Sequence, residues 1–207
     1  MSRLGFGLTV VIGVLLSLTI QACSRPLPPQ ASCDFVQNPD QQRVSWNRRL
    51  PVKLYIHKSV PAEAYPALDR AVSEFNSKLG QEIFKVIARG TDGALSPQRD
   101  GYSTIYWFDS WEADKTVEQA RTTIYWAGVE IYEADMRING RNFTYNYSSS
   151  TRFSNVDLDS LFVHELGHAV GLAHREMEVS VMDPTLADGE VRREFTASDL
   201  ANLRCEY

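Results

Sequence analysis

The most constraining feature of this 207-residue sequence is the stretch 164–174, which reads HELGHAVGLAH and holds three of the chain's four histidines. On a helix, His164 and His168 project from one face, because residues four positions apart are neighbours, and both can bind one metal ion. Gly171 can adopt the left-handed backbone that ends a helix, which lets His174 turn back as a third ligand. Three protein ligands leave a fourth position for water, as in catalytic zinc sites.

A carboxylate directly follows the first of these histidines. Glu165 lies about 100° further around the helix axis, close to the open side of the metal, and we predict that it acts as a general base. The alternative is a buried helix with incidental histidines. It is disfavoured because only His57 lies outside the motif, and because five fixed residues should occur by chance in about one of 10⁵ chains of this length.

Residues 1–22 have the composition of a secretory signal peptide. Arg3 precedes an apolar run over residues 4–20, which is short for a stable transmembrane helix. The run leads into Ile20-Gln21-Ala22-Cys23, which resembles a bacterial lipoprotein cleavage box and predicts lipidation of Cys23. Gln21 departs from the residue usual in that box, and an ordinary signal peptide cut nearby is the alternative.

After the predicted signal peptide, the sequence predicts a tether and a single folded domain. Residues 23–32 would form the lipidated N-terminus and a proline-rich tether, and residues 33–207 one folded domain. We expect an exported protein of the cell envelope, lipid-anchored to a bacterial membrane, or in the alternative case a secreted soluble protein. The net charge of −5 without a basic block predicts no nucleic-acid partner. We expect a monomer.

Cysteine usage predicts one disulfide. If Cys23 carries lipid, Cys33 and Cys205 remain, one at each end of the folded region. Export favours their oxidation to a disulfide, and two free thiols are the alternative.

Hydrophobic patterning predicts mixed α and β structure around the motif. Strands are predicted over residues 52–56, 84–88, 103–108, 122–126 and 131–138. A stripe of apolar side chains over 64–79 predicts a long helix that ends at Gly80. The motif helix should begin near 155–157, and a short final helix at Thr196.

Three acidic residues follow the third predicted strand. Asp109, Glu112 and Asp114 offer the oxygen ligands that calcium prefers. Their spacing matches no ion-binding loop that we can name, so a solvated acidic loop is the stronger interpretation. Calcium is an alternative that no motif supports.

The combined pattern resembles the metzincin clan of zinc endopeptidases, most closely its matrixin branch. The signature His-Glu-x-x-His-x-x-Gly-x-x-His is matched position by position, and Met182 resembles the methionine in the turn beneath the metal. Specific matches cover residues 155–207. Asp199 occupies the position of the aspartate that braces this turn, whereas Ser198 replaces the aspartate that receives the N-terminal ammonium in animal enzymes.

The resemblance implies an α+β, zincin-like fold. Such a fold has a twisted, mostly parallel sheet with an antiparallel edge strand over the cleft, a long backing helix, an active-site helix and a C-terminal helix. Residues 130–139 are our candidate for the edge strand, which would pair with an extended substrate by β-augmentation. The sequence shows neither the family's cysteine-containing propeptide motif nor its histidine-bearing structural zinc loop, so we expect no latency encoded in this chain.

The activity implied is zinc-dependent endopeptidase action with one catalytic zinc ion, in which Glu165 assists attack by zinc-bound water. A zinc amidase or peptidase acting on cell-wall peptides would use the same site. A surface protein that binds zinc without turnover is disfavoured, because binding alone has no use for a general base. Residues 186–194 are predicted to form one wall of the pocket for the residue after the cleaved bond. There, Arg192 and Arg193 either favour an acidic or polar substrate group or face water.

Overall fold

The computed structural model of the chain describes residues 30–47, 49–150, 154–176 and 179–207. The predicted signal peptide, Cys23 and most of the predicted tether lie outside the described residues. Within the described part of the chain, no helix is both long and apolar enough to span a bilayer.

The elements occur in the predicted order. They are β1 (Val52–His57), α1 (Tyr65–Leu79), β2 (Phe84–Thr91), β3 (Ser103–Phe108), β4 (Ala120–Ala127), β5 (Glu130–Asn139), β6 (Tyr145–Asn146), β7 (Val156–Asp157), α2 (Leu158–Ala169) and α3 (Ala197–Leu203). A short 3₁₀ turn precedes α1, and Gly80 with a φ of 68° ends that helix as its sequence predicted. The second strand runs further than predicted, to Thr91.

Five of these strands form one sheet in the order β2-β1-β3-β5-β4. All neighbouring pairs are parallel except β4 and β5, which are antiparallel. The sheet and the helices around it confirm the predicted α+β fold with a mostly parallel sheet.

The assignment of residues 130–139 to the edge of the sheet was wrong. They form β5, an internal strand, and the antiparallel edge strand is β4. The physical reason is that β5 is hydrogen-bonded along both of its edges, to β3 on one side and to β4 on the other. Both of its faces are buried as well: Met136 faces the apolar core, and Glu133 and Asp135 lie buried on the opposite face. The resemblance implied that the sheet has an antiparallel edge strand, but it did not decide between residues 122–126 and 131–138.

The apolar core lies between one face of the sheet and the helices α1 and α2, which pack against each other. Phe75 of α1 is fully buried and makes edge-on ring contacts with Phe84 of β2 and Phe195 before α3. Helix α2 also packs against β4. The motif is therefore held between the core and the edge strand.

Residues 33–46, which we call the N-terminal strap, join three distant parts of the chain. Cys33 forms a disulfide with Cys205 after α3. Phe35 makes an antiparallel bridge with Leu172, and Ser45 a parallel bridge with Glu130. The strap thus connects the end of the motif, the start of β5 and the C-terminus.

Candidate metal centre

Helix α2 carries the first half of the motif and is fixed at both ends. Asp157 caps its N-terminus by accepting a hydrogen bond from the backbone N–H of Ser160. Beyond its last residue, Ala169, the chain turns at Gly171 with a φ of 103°. A Cβ at Gly171 would lie 2.4 Å from the backbone oxygen of Val44 in the strap. Glycine is required here both for the turn and for this close approach.

The structure brings the three histidines of the motif together. His164 and His168 project from adjacent turns of α2, and His174 returns to them after the turn at Gly171. One nitrogen of each ring lies within 4.8 Å of the other two. Within the described residues, no other group of three or more histidine, cysteine or acidic side chains converges in this way.

Hydrogen bonds fix the tautomers of the two helical histidines. His164 Nδ1 lies 2.8 Å from the backbone oxygen of Val181, and His168 Nδ1 lies 2.8 Å from that of Leu172. A carbonyl oxygen can only accept, so both Nδ1 atoms carry the hydrogen and both Nε2 atoms present lone pairs. These two Nε2 atoms are 3.0 Å apart. Lone pairs at that separation repel unless a cation lies between them, so the donor set fits a zinc ion.

The surroundings keep the imidazoles neutral. Burial, together with the nearby His168, lowers the pKa of His164 to about 3. Burial also lowers the pKa of His168 and of His174. Neutral imidazole is the form that binds a metal.

Glu165 is buried next to the histidines and is oriented from the edge strand. Thr122 of β4 donates a hydrogen bond from Oγ1 to Glu165 Oε2 at 2.6 Å. Burial raises the pKa of Glu165 to about 7, although the hydrogen bond from Thr122 opposes the shift. Thr122 had no assigned role in the sequence, because it lies 43 residues before Glu165 and no local pattern links the two.

The predicted methionine turn lies beneath α2. Met182 is buried, and a Cβ at Gly167 would lie 2.3 Å from Met182 Sδ. Asp199 is buried too and accepts hydrogen bonds from Ser180 Oγ at 2.6 Å and from the N–H of Val181 at 3.4 Å. Since the oxygen of Val181 orients His164, Asp199 supports the metal centre through the turn.

A cleft of about 700 Å³ runs past the three histidines and Glu165. Residues 120–122 and Ile124 of β4 line one side. Residues 183–187, which overlap the predicted wall, line the other side together with Arg192. The strap contributes Val36 to the same cleft.

Arg192 and Arg193 do not simply face water, and Arg192 lines the cleft. Arg192 pairs with Glu190 at 2.8 Å and donates to the oxygen of Ser180 at 3.1 Å, and only 9% of its side chain is exposed. Arg193 donates from Nε to the buried carboxylate of Asp157 at 2.9 Å. Both arginines hold the wall in place by ion pairs, so the alternative that they face water was wrong. That Arg192 favours an acidic or polar substrate group stays a prediction.

The three acidic residues of the predicted loop do not form a common site. Asp109 is exposed, and Glu112 pairs with Arg137 at 2.9 Å and with Arg121 at 3.5 Å. The interpretation as a solvated loop is therefore incomplete, because Glu112 ties the loop to β4 and β5. His57 is buried, and its Nδ1 lies 2.9 Å from Ser59 Oγ.

Comparison with known proteins gives one family. A 52-residue stretch is 40% identical to Metalloendoproteinase 2-MMP and 36% identical to Metalloendoproteinase 5-MMP of Arabidopsis thaliana. Each stretch covers 25% of this chain but only 14% of the relative. The chain therefore matches a small part of these longer proteins. The sequence model of the matrixin family matches residues 94–207. That match covers more than half of the chain, and the chain thus belongs to the matrixin family.

Proposed function

We propose that this chain is a zinc-dependent endopeptidase that hydrolyses extended polypeptides. The observation that carries the proposal is that the Nε2 atoms of His164 and His168 lie 3.0 Å apart with their lone pairs free, in a cleft that also holds Glu165. Membership of the matrixin family supports it.

The residues divide the chemistry between them. His164, His168 and His174 would hold the zinc ion. When bound, zinc supplies positive charge that polarises the scissile carbonyl and lowers the pKa of water at its open position. Glu165 takes a proton from the attacking water and passes it to the leaving nitrogen. Thr122 keeps the carboxylate of Glu165 in place by its 2.6 Å hydrogen bond.

Substrate binding is assigned to β4. This strand pairs with β5 along one edge only, and its residues line the cleft. Its other edge offers backbone groups for an extended peptide, which would join the sheet by β-augmentation.

The test is cleavage of a peptide library, read by mass spectrometry with and without a zinc chelator. Glu165→Gln should retain the metal, because the three ligands are intact, and should lose about 10²–10⁴-fold in kcat. Glu63→Gln, which changes an exposed glutamate on the 3₁₀ turn, is the matched control and should keep full activity. Undiminished cleavage by Glu165→Gln would refute the mechanism.

Two further assays separate the alternatives. Cleavage of peptidoglycan fragments but not of denatured proteins would favour a cell-wall peptidase or amidase. Tight zinc binding with neither activity would favour a binding protein.

We also propose that the chain is exported and anchored by lipid on Cys23. In a bacterial host, an alkyne fatty acid should label the native chain and not Cys23→Ser. Equal labelling of both would exclude the anchor.

A further inference from the structure

The third histidine is held differently from the other two. His164 and His168 lie on α2, and a backbone oxygen fixes each ring. His174 is exposed and lies in a segment without regular secondary structure, after the turn at Gly171. No hydrogen bond from a described residue reaches its ring. Its place therefore depends on what holds the backbone on either side of it.

The N-terminal strap holds the backbone before His174. The N–H of Ala173 donates to the backbone oxygen of Asp34 at 2.7 Å, and the N–H of Val36 donates to the oxygen of Gly171 at 2.8 Å. These bonds form a short antiparallel pairing around the bridge between Phe35 and Leu172. The pairing ends one residue before His174.

The side chain of Asp34 holds the residue after His174. Its Oδ2 lies 3.2 Å from Arg175 Nε and accepts a hydrogen bond from Asn202 Nδ2 of α3 at 2.6 Å. Arg175 in turn donates from Nη1 to Ser198 Oγ at 2.5 Å. Asp34 thus contacts both chain neighbours of His174, through its backbone on one side and its carboxylate on the other.

The backbone of the strap is strained where it makes these contacts. Cys33 and Asp34 have φ values of 45° and 57°, in the left-handed region that costs side-chain-bearing residues about 1 kcal/mol or more each. Such conformations persist where the surroundings over-determine them. Here the surroundings are the disulfide to Cys205 and the contacts of Asp34 with Ala173, Arg175 and Asn202.

We propose that Asp34 is a positioning residue for His174, so that the N-terminal strap sets the metal affinity of the centre. The inference rests on the proposed zinc site but not on hydrolysis. Two ligands on one helix are preorganised by α2, whereas the third is preorganised by a segment that lies 140 positions earlier in the sequence. Residues that orient a metal ligand commonly change metal affinity by about 10–100-fold when they are replaced.

The experiment measures the zinc dissociation constant by competition with a chromophoric chelator, on the full chain with its disulfide intact. Asp34→Ala should raise the dissociation constant by about 10–100-fold. Asp34→Asn keeps one acceptor oxygen and should give a smaller increase. Asp40→Ala removes the same charge from an exposed position of the same strap and should leave the constant unchanged.

A double-mutant cycle separates positioning from general loosening of the fold. In the His174→Ala background, where the third ligand is gone, Asp34→Ala should cause no further loss of zinc affinity. An equal loss in both backgrounds would overturn the proposal. If Asp34→Ala does not fold, Arg175→Ala tests the same contact, and native affinity in that variant would overturn the proposal too.

The outcomes also distinguish this inference from the proposed function. Tight zinc binding without cleavage of any peptide would refute the endopeptidase and leave the role of Asp34 intact. If the chain is an active protease but Asp34→Ala leaves the zinc dissociation constant unchanged, the role of Asp34 is refuted and the endopeptidase is not.

Discussion

At the scale of single residues, we expect Asp135 to make the stability of the fold depend on pH. It is 1% exposed on the outer face of β5, where Oδ1 accepts the N–H of Thr104 at 3.0 Å and Oδ2 has no partner among the described residues. Burial, together with the nearby Glu133 and Asp100, raises the pKa of this carboxyl from 3.8 to about 7. The folded state therefore binds the proton more tightly than the unfolded state, and stability falls as pH rises from about 4 to about 7.

Asp135→Asn should remove most of that fall, because the amide keeps the acceptor for Thr104 and carries no charge. We expect the variant to be about 2 kcal/mol more stable than the native chain at pH 8, since a tenfold change in acidity corresponds to about 1.4 kcal/mol and relaxation of the protein around the buried charge reduces the total. Urea unfolding at pH 5 and pH 8 measures the difference. Asp109→Asn, at an exposed position, is the control. A variant with the same pH dependence as the native chain would show that Asp135 is not the group responsible.

The roles of some residues of the metal centre could be predicted from the sequence, and the roles of others could not. The ligands and Glu165 lie within eleven positions, so the geometry of one helix and one turn was enough to predict their convergence. Thr122 and Asp34 act on the centre from other parts of the chain. Their roles depend on tertiary packing, which leaves no periodic pattern in the sequence. The ion pair of Arg193 with Asp157 escaped prediction for the same reason.

At the scale of elements, the packing of α2 on the methionine turn leads to a prediction for Gly167. Glycine inside a helix normally costs about 1 kcal/mol relative to alanine, so Gly167→Ala should stabilise α2 on propensity alone. Here the added Cβ would lie 2.3 Å from Sδ of the buried Met182, so the methionine side chain would have to shift within the packed interior. We expect a net destabilisation of about 1–3 kcal/mol from overpacking.

The matched experiment repeats Gly167→Ala in a Met182→Ala background. Once the sulfur is gone, the substitution should become neutral or stabilising, and thermal or urea unfolding of the four chains gives the coupling energy. If Gly167→Ala destabilises both backgrounds equally, the contact with Met182 is not the cause.

The strands show where patterning succeeds and where it misleads. Alternation located all five strands of the large sheet, because residues that face the core recur with period two. It does not show which strand lies at the edge, because the edge depends on which strands pair, and our candidate taken from the resemblance was the wrong strand of the β4–β5 pair. In the fold, the loop that contains Gly101 lies over Glu133 of β5, and the N–H of Gly101 donates to Glu133 Oε2 at 2.5 Å. A covering loop is a tertiary feature, and the strand's own sequence does not encode it.

At the scale of the whole molecule, the two ends of the described chain meet beside the metal centre. The strap contributes Val36 to the cleft, and the C-terminal segment contributes Asp199 to the methionine turn. Arg43 of the strap also pairs with Glu206 at 2.9 Å. The site's ligands occupy one short motif, but its surroundings include contacts between the two ends of the described residues.

The disulfide joins the two ends of the folded region covalently. It should raise the free energy of unfolding mainly by restricting the unfolded state. Cys33 and Cys205 are 172 positions apart, so their bond restricts nearly the whole domain when it is unfolded. The chain-entropy model gives about 4–5 kcal/mol for a loop of this length, an upper value if the unfolded chain retains structure. Replacing both cysteines with alanine should lower the free energy of unfolding by up to that amount, measured in urea. Reductant should destabilise the native chain by a similar amount and leave the double variant unaffected. If reductant does not change the free energy of unfolding of the native chain, and both thiols react in urea without reductant, the bond is not formed in solution.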